Sequence, residues 1–228
     1  MQFNEAQIQA IQHNTGPCMV IAGPGSGKTT VLTHRVRYLI ERYGVNPSDI
    51  LVITFTKAAA EQMKLKFKGL SEGRNSAVTF GTFHAVFFTI LKAAYNYSAH
   101  CIIKPQIQHE FVKDQMCRLE LEYDDENEAV AGVLSEISCV KGEDVNIDEY
   151  ESRCIPPQSF RIMYRAYDDM LVRKHLIDFD DMIVQCRELL MQREDYRRAW
   201  QNKYKYILID EFQDITNCLL YTSPSPRD

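Results

Sequence analysis

Two stretches of this chain carry residue types at spacings that could do chemistry. The first is AGPGSGKTT, residues 22–30. Gly23, Gly25 and Gly27 allow backbone angles and close approaches that side chains forbid. Successive N–H groups there, with a helix start behind them, would face a phosphate. Lys28 would then reach the β- and γ-phosphates of a nucleoside triphosphate, and the Thr29 hydroxyl would hold Mg²⁺. The strict phosphate-loop pattern has glycine where Ala22 stands; the relaxed pattern admits alanine. Ala22, Gly23, Pro24, Gly25, Ser26, Gly27, Lys28, Thr29 and Thr30 are therefore the expected phosphate-binding set. The second stretch is ILIDEFQD, residues 207–214, an apolar run that ends in acids. Asp210 is expected to hold the metal, directly or through water. Glu211 would orient and deprotonate an attacking water, which favours hydrolysis over transfer to a small acceptor. A plain glycine turn and a capped acidic turn are the bland alternatives.

Such loops need strands behind them and helices after them. CMVIA (18–22) reads as a buried strand. Residues 28–42 place apolar side chains at 31, 32, 36, 39 and 40, which is helical spacing. DILVITF (49–55) and SAVTFGTF (76–83) read as further strands, KAAAEQMKLKF (57–67) and HAVFFTILKAAY (84–95) as helices. This alternation implies a parallel sheet with right-handed crossovers. Residues 107–175 are polar and helical in composition, and Pro157 is placed to begin a helix. IDFDDMIVQCRELL (177–190) reads as helix with Asp178 as N-cap, and YKYILID (204–210) as strand. The expected fold class is α/β, with a mainly helical insertion.

Composition is that of a globular protein, 45% hydrophobic and 25% charged. Net charge is −5, unevenly spread: residues 1–100 carry +5 and residues 101–228 carry −10. A polyanion would be expected to meet the first hundred residues. Seven cysteines without a C-x-x-C pair suggest reduced thiols that mostly serve as small apolar side chains, in a cytoplasmic protein. No run approaches the ~18 apolar residues of a membrane span, so no membrane partner is expected.

Taken together, the blocks resemble the UvrD/PcrA/Rep group of superfamily 1 DNA helicases. FNEAQIQAI (3–11) resembles their glutamine motif and AGPGSGKTT their motif I. VITFTKAAAEQM (52–63), GTFHAVFFTIL (81–91), IDFDDMI (177–183) and LIDEFQD (208–214) resemble motifs Ia, Ib, Id and II. The blocks stand in the family's order, with Lys28 lying 182 residues before Asp210. The resemblance runs from about residue 3 to 217. Lys57 directly follows Thr56 where the family has an asparagine. CLLYTSPSPRD (218–228) does not resemble the family, and is expected to be a disordered tail left by a truncated gene product or a read-through.

The resemblance implies a RecA-like P-loop NTPase sheet with helices on both faces, incomplete here. Residues 1–95 and 177–217 would form the motor domain and 96–176 the helical insertion. It implies ATP with Mg²⁺ as cofactors and single-stranded DNA, or a single/double-strand junction, as partner. Gln7 would read the adenine edge, and Gln213 would sense the γ-phosphate. Thr54, Phe55, Thr56, Thr82 and His84 would line a DNA groove, with Phe179 a further contact. The implied activity is that of an ATP-dependent 3′–5′ helicase or translocase. The 228 residues alone are expected to bind nucleotide weakly and not to unwind. A P-loop kinase or other NTPase, and a non-enzymatic DNA-binding module, are the alternatives from other classes.

Overall fold

The computed structural model describes residues 2–71, 77–143 and 145–212; Gln213, Asp214 and the 218–228 tail lie outside them. The chain divides into two compact units, residues 2–86 with 189–212, and residues 87–188. These dividing points fall inside helices, at 86/87 and 188/189, rather than at the expected 95/96 and 176/177.

The first unit holds a three-stranded parallel sheet in the order β2-β1-β3, from β1 (Ile50–Thr54), β2 (Thr79–Thr82) and β3 (Tyr206–Ile209). β1 is central and buried at every position, the signature of a strand covered on both faces. Its register sets Thr54 opposite Thr82 and Ile53 opposite Ile209. Helices α1 (Glu5–Gln12), α2 (Lys28–Tyr43) and α3 (Lys57–Leu70) belong to this unit. Val36 and Leu39 of α2 and Met63 and Phe67 of α3 pack with Ile50, Val52, Val78 and Leu208 into one core. The helical spacing of 28–42 thus buries one stripe against the sheet. Gly44, in the left-handed region at φ 65°, ends α2.

One expected strand is not formed. Residues 18–22 carry no strand pairing, and Met19, Val20 and Ile21 are exposed, Ile21 at 92%. An apolar run becomes a strand only when a neighbour completes its ladder. Here β3 pairs with β1 and has no second partner among the described residues.

Two helices run across the dividing points, α4 (Phe83–Tyr95) and α8 (Phe179–Gln192). The second unit is otherwise helical: α5 (Pro105–Arg118), α6 (Glu126–Glu143) and α7 (Pro157–Arg173). Proline opens α5 and α7, as its fixed φ allows. Val112, Met116, Val133, Ile137, Phe160, Met163 and Tyr167 form a separate core. α9 (Glu194–Lys203), which sequence reading did not anticipate, follows in the first unit. Of six described cysteines only Cys186 is buried, while Cys18, Cys117, Cys139 and Cys154 are exposed. That corrects the expectation of mostly apolar packing roles. Among the described residues no helix is long and apolar enough to cross a membrane.

Candidate active site

The glycine loop leads directly into α2. Gly25 and Gly27 have φ of 74° and 82°, a region that L side chains adopt at a cost of roughly 1–2 kcal/mol. Gly27 is the N-cap of α2, and its carbonyl accepts from the Val31 N–H at 2.9 Å. The first α2 amides therefore keep their N–H groups for an anion. Lys28 Nζ points back to the Ala22 carbonyl at 3.4 Å, so its ammonium lies over the loop that it would serve.

Ile53 and β3 bring the acids to the same place. The Asp210 N–H donates to the Ile53 carbonyl at 2.9 Å, one step beyond the last residue of β3. The Asp210 carboxyl is held above its usual value, first by burial and then by the Glu211 charge; the Glu211 N–H, Lys28 and the Thr29 hydroxyl pull the other way. The Thr29 hydroxyl and the Lys28 ammonium thus both act on the Asp210 carboxyl. A buried carboxylate with a hydroxyl and an ammonium acting on it, next to the first-turn N–H groups of α2, is a donor set that fits a triphosphate carrying Mg²⁺. Glu211 follows with φ 54°, a strained conformation for a residue with a Cβ.

Gln7 lies behind the loop. Its Nε2 donates to the Ser26 carbonyl at 3.0 Å, and its Oε1 accepts from the Asn4 N–H at 3.0 Å. The Asn4 side chain in turn accepts from the Gln7 N–H, completing a capping box. One N–H and one lone pair remain on the Gln7 amide, the complement of an adenine edge. Sequence reading missed the residue that anchors this helix. Arg35 donates to the Ala10 carbonyl at 3.0 Å and also to His13, while Tyr43 caps the Gln12 carbonyl at 3.0 Å. Nothing in HRVRYL distinguishes Arg35 from Arg37, since only the fold turns one of them inward.

The expected DNA-groove residues separate by environment. Phe55 is 51% exposed just past β1. Thr54 is buried, and its hydroxyl donates to the Thr56 carbonyl at 2.9 Å. Thr56 caps α3 by accepting from the Ala59 N–H at 3.1 Å. Thr82 accepts from the Ala85 N–H at 3.3 Å at the start of α4. Burial lowers the His84 imidazole below its usual value, which favours the neutral ring. Phe179 belongs to the other unit and is 55% exposed. Within the first unit, Thr54, Phe55, Thr56, Thr82, His84, Asp210 and Glu211 all lie at the carboxyl ends of parallel strands. That is where open α/β sheets place their ligands.

A family model described as the UvrD/REP helicase N-terminal domain matches residues 3–222, five residues beyond the expected limit of the resemblance. The putative ATP-dependent DNA helicase YjcD of Bacillus subtilis is 34% identical over 93% of this chain. The ATP-dependent DNA helicase Rep of Escherichia coli is 34% identical over 97%, and PcrA of Staphylococcus epidermidis 31% over 96%. The chain spans 29%, 33% and 31% of those three proteins, about a third of their length. With the phosphate loop, the strand-end acids and this match in hand, the chain belongs to the UvrD/REP helicase family and carries its N-terminal domain.

Proposed function

We propose that this chain is the ATP-binding motor part of a 3′–5′ DNA helicase or translocase, acting on single-stranded DNA or a single/double-strand junction. The observation that carries the reading is the buried Asp210 carboxyl, fixed at the end of β3 by the Ile53 carbonyl and acted on by Lys28, Thr29 and Glu211, beside a glycine loop that opens α2. In it Lys28 and the first-turn amides of α2 bind phosphate, Thr29 and Asp210 hold Mg²⁺, and Glu211 takes the proton of the attacking water. When bound, the metal ion would supply charge neutralisation between the phosphates. Gln7 selects adenine, and Gln213, outside the described residues, would sense the γ-phosphate. Phe55 and Phe179 are exposed aromatic surfaces on which bases can stack. Thr54, Thr56, Thr82 and His84 would shape the adjoining groove.

Lys28 is the cation that acts on Asp210. Fast phosphoryl transfer needs a further cationic group on the γ-phosphate, worth roughly 10³–10⁵ in rate. As part of the same proposal, the 228 residues alone bind nucleotide weakly, hydrolyse it slowly and do not unwind. Binding of a fluorescent ATP analogue, followed with and without Mg²⁺, tests this. Lys28→Ala should abolish binding, and Glu211→Gln should keep binding but lose residual hydrolysis. Analogue binding indifferent to Lys28 would overturn the reading, and rapid DNA-stimulated hydrolysis would overturn the weak-motor part of it.

A further inference from the structure

A charge cluster buried in the helical unit is used by none of the chemistry above. Lys141, near the end of α6, is 4% exposed in its side chain. Its Nζ meets Asp168 at 3.0 Å, Asp178 at 3.0 Å and Asp181 at 2.7 Å, and lies 5.1 Å from the centre of the Tyr167 ring. The Tyr167 hydroxyl donates to Asp178 Oδ2 at 3.2 Å and accepts from Gln108 Nε2 at 2.6 Å. Asp178 uses its other oxygen to accept the Asp181 N–H at 2.7 Å, the N-cap bond of α8. The chain leading in is fixed as well, since the Ile177 N–H donates to the Cys101 carbonyl at 2.7 Å and its carbonyl accepts from Ile103 at 3.0 Å.

Residues of α6 and α7 therefore grip the start of α8, with Gln108 of α5 holding Tyr167, and the residue held between Asp178 and Asp180 is the exposed Phe179. A buried lysine with three carboxylates is an expensive way to gain stability, because apolar residues of similar volume stabilise as well or better. What the cluster does supply is a single orientation for the α8 start. We infer that Lys141 is a positioning residue for nucleic-acid contact, clamping the Asp178 cap so that Phe179 stands out as a stacking platform for a base of single-stranded DNA. This rests on the DNA-binding reading proposed above.

The test uses the whole chain and an oligothymidylate carrying one 2-aminopurine, followed by anisotropy and by quenching of the probe. Phe179→Ala should weaken binding roughly 5- to 150-fold, the range for losing one stacked base. Lys141→Met should weaken it by a similar factor, the double variant no further, and Lys141→Arg should keep most of the affinity. Lys141→Met with Asp181→Asn, which leaves fewer uncompensated carboxylates, serves if the single variant does not fold. Binding of a fluorescent ATP analogue should not change in any of them. The slope of log K against log salt should also stay the same, because Lys141 touches no phosphate. Loss of binding in Phe179→Ala but not in either Lys141→Met form overturns this inference and leaves the DNA-binding reading intact. A drop of about one in the salt slope also overturns it, because Lys141 would then be a direct contact. Absence of DNA binding by the parent chain removes the reading and the inference together.

Discussion

Thr54 and Thr82 stand opposite each other at the last step of the parallel β1–β2 ladder, and each has a local partner for its hydroxyl. Thr54 donates to the Thr56 carbonyl, and Thr82 accepts from the Ala85 N–H. With Thr56 as the cap of α3, the threonines build the two turns that leave the sheet. Losing a threonine cap costs about 0.5–2 kcal/mol. Thr56→Ala and Thr82→Ala should each lower urea stability by that much, with DNA affinity falling by less than in Phe55→Ala. A larger fall in DNA affinity than in Phe55→Ala would assign their hydroxyls to phosphate instead.

Gln7 has two tasks that one substitution separates. Its amide ties the Ser26 carbonyl of the phosphate loop to the capping box of α1. Its remaining N–H and lone pair can serve adenine. Gln7→Ala should lower affinity for ATP more than for GTP or CTP in competition binding, because only the adenine pairing is specific. Equal losses for all three nucleotides would make Gln7 a support for the loop and not a reader of the base.

The phosphate loop, the central strand and helices α2 and α3 were legible because each is specified by neighbours in sequence: glycine spacing, a branched apolar run, a 3.6-residue stripe. Asp178 as a cap was legible for the same reason, since its partner is the Asp181 N–H three residues on. Residues 18–22 misled because strand formation depends on a neighbouring ladder, which no run of five residues can report. Thr54, Thr56 and Thr82 were identifiable as strand-end residues. Whether a hydroxyl is spent on backbone or left for a ligand is decided by turn geometry. Lys141 was invisible because its carboxylates lie 27 to 40 residues away, on α7 and at the start of α8.

The cluster around Lys141 has a pH signature of definite sign. Burial alone would lower the Lys141 ammonium, but Asp178, Asp181 and Asp168 more than offset it and hold it above its usual value. Asp181 is pushed up to about 6 from 3.8, by burial first and by Asp178 second, with Lys141 pulling it down only in part. Its folded value lies above its unfolded value, so the native state takes up a proton that the unfolded chain does not. Stability should therefore rise as pH falls from about 6 toward 4, with ionised Asp181 costing on the order of 3 kcal/mol above that window. Asp181→Asn should raise the melting temperature at pH 7.5, and the gap should close below pH 4. A lower melting temperature in the variant at pH 7.5 would show that the Lys141 attraction outweighs burial and the Asp178 repulsion.

Met19, Val20 and Ile21 present an apolar strip just ahead of the phosphate loop, with Ile21 almost fully exposed. β3, the strand that carries the acids, ends the described sheet, and its Ile207 is 39% exposed. A sheet edge with unpaired N–H and C=O groups beside apolar side chains is a template for pairing between chains. The protein at high concentration is therefore expected to associate, and Ile21→Lys to suppress this by placing a charge on the strip. Sedimentation velocity across a concentration series measures it. Faster-sedimenting species should grow with concentration in the parent chain and fade in Ile21→Lys, while binding of a fluorescent ATP analogue stays within a factor of a few, because Ile21 lies outside the glycine loop. A parent chain that stays monomeric throughout would mean that the strip is covered in solution by a segment of the same chain.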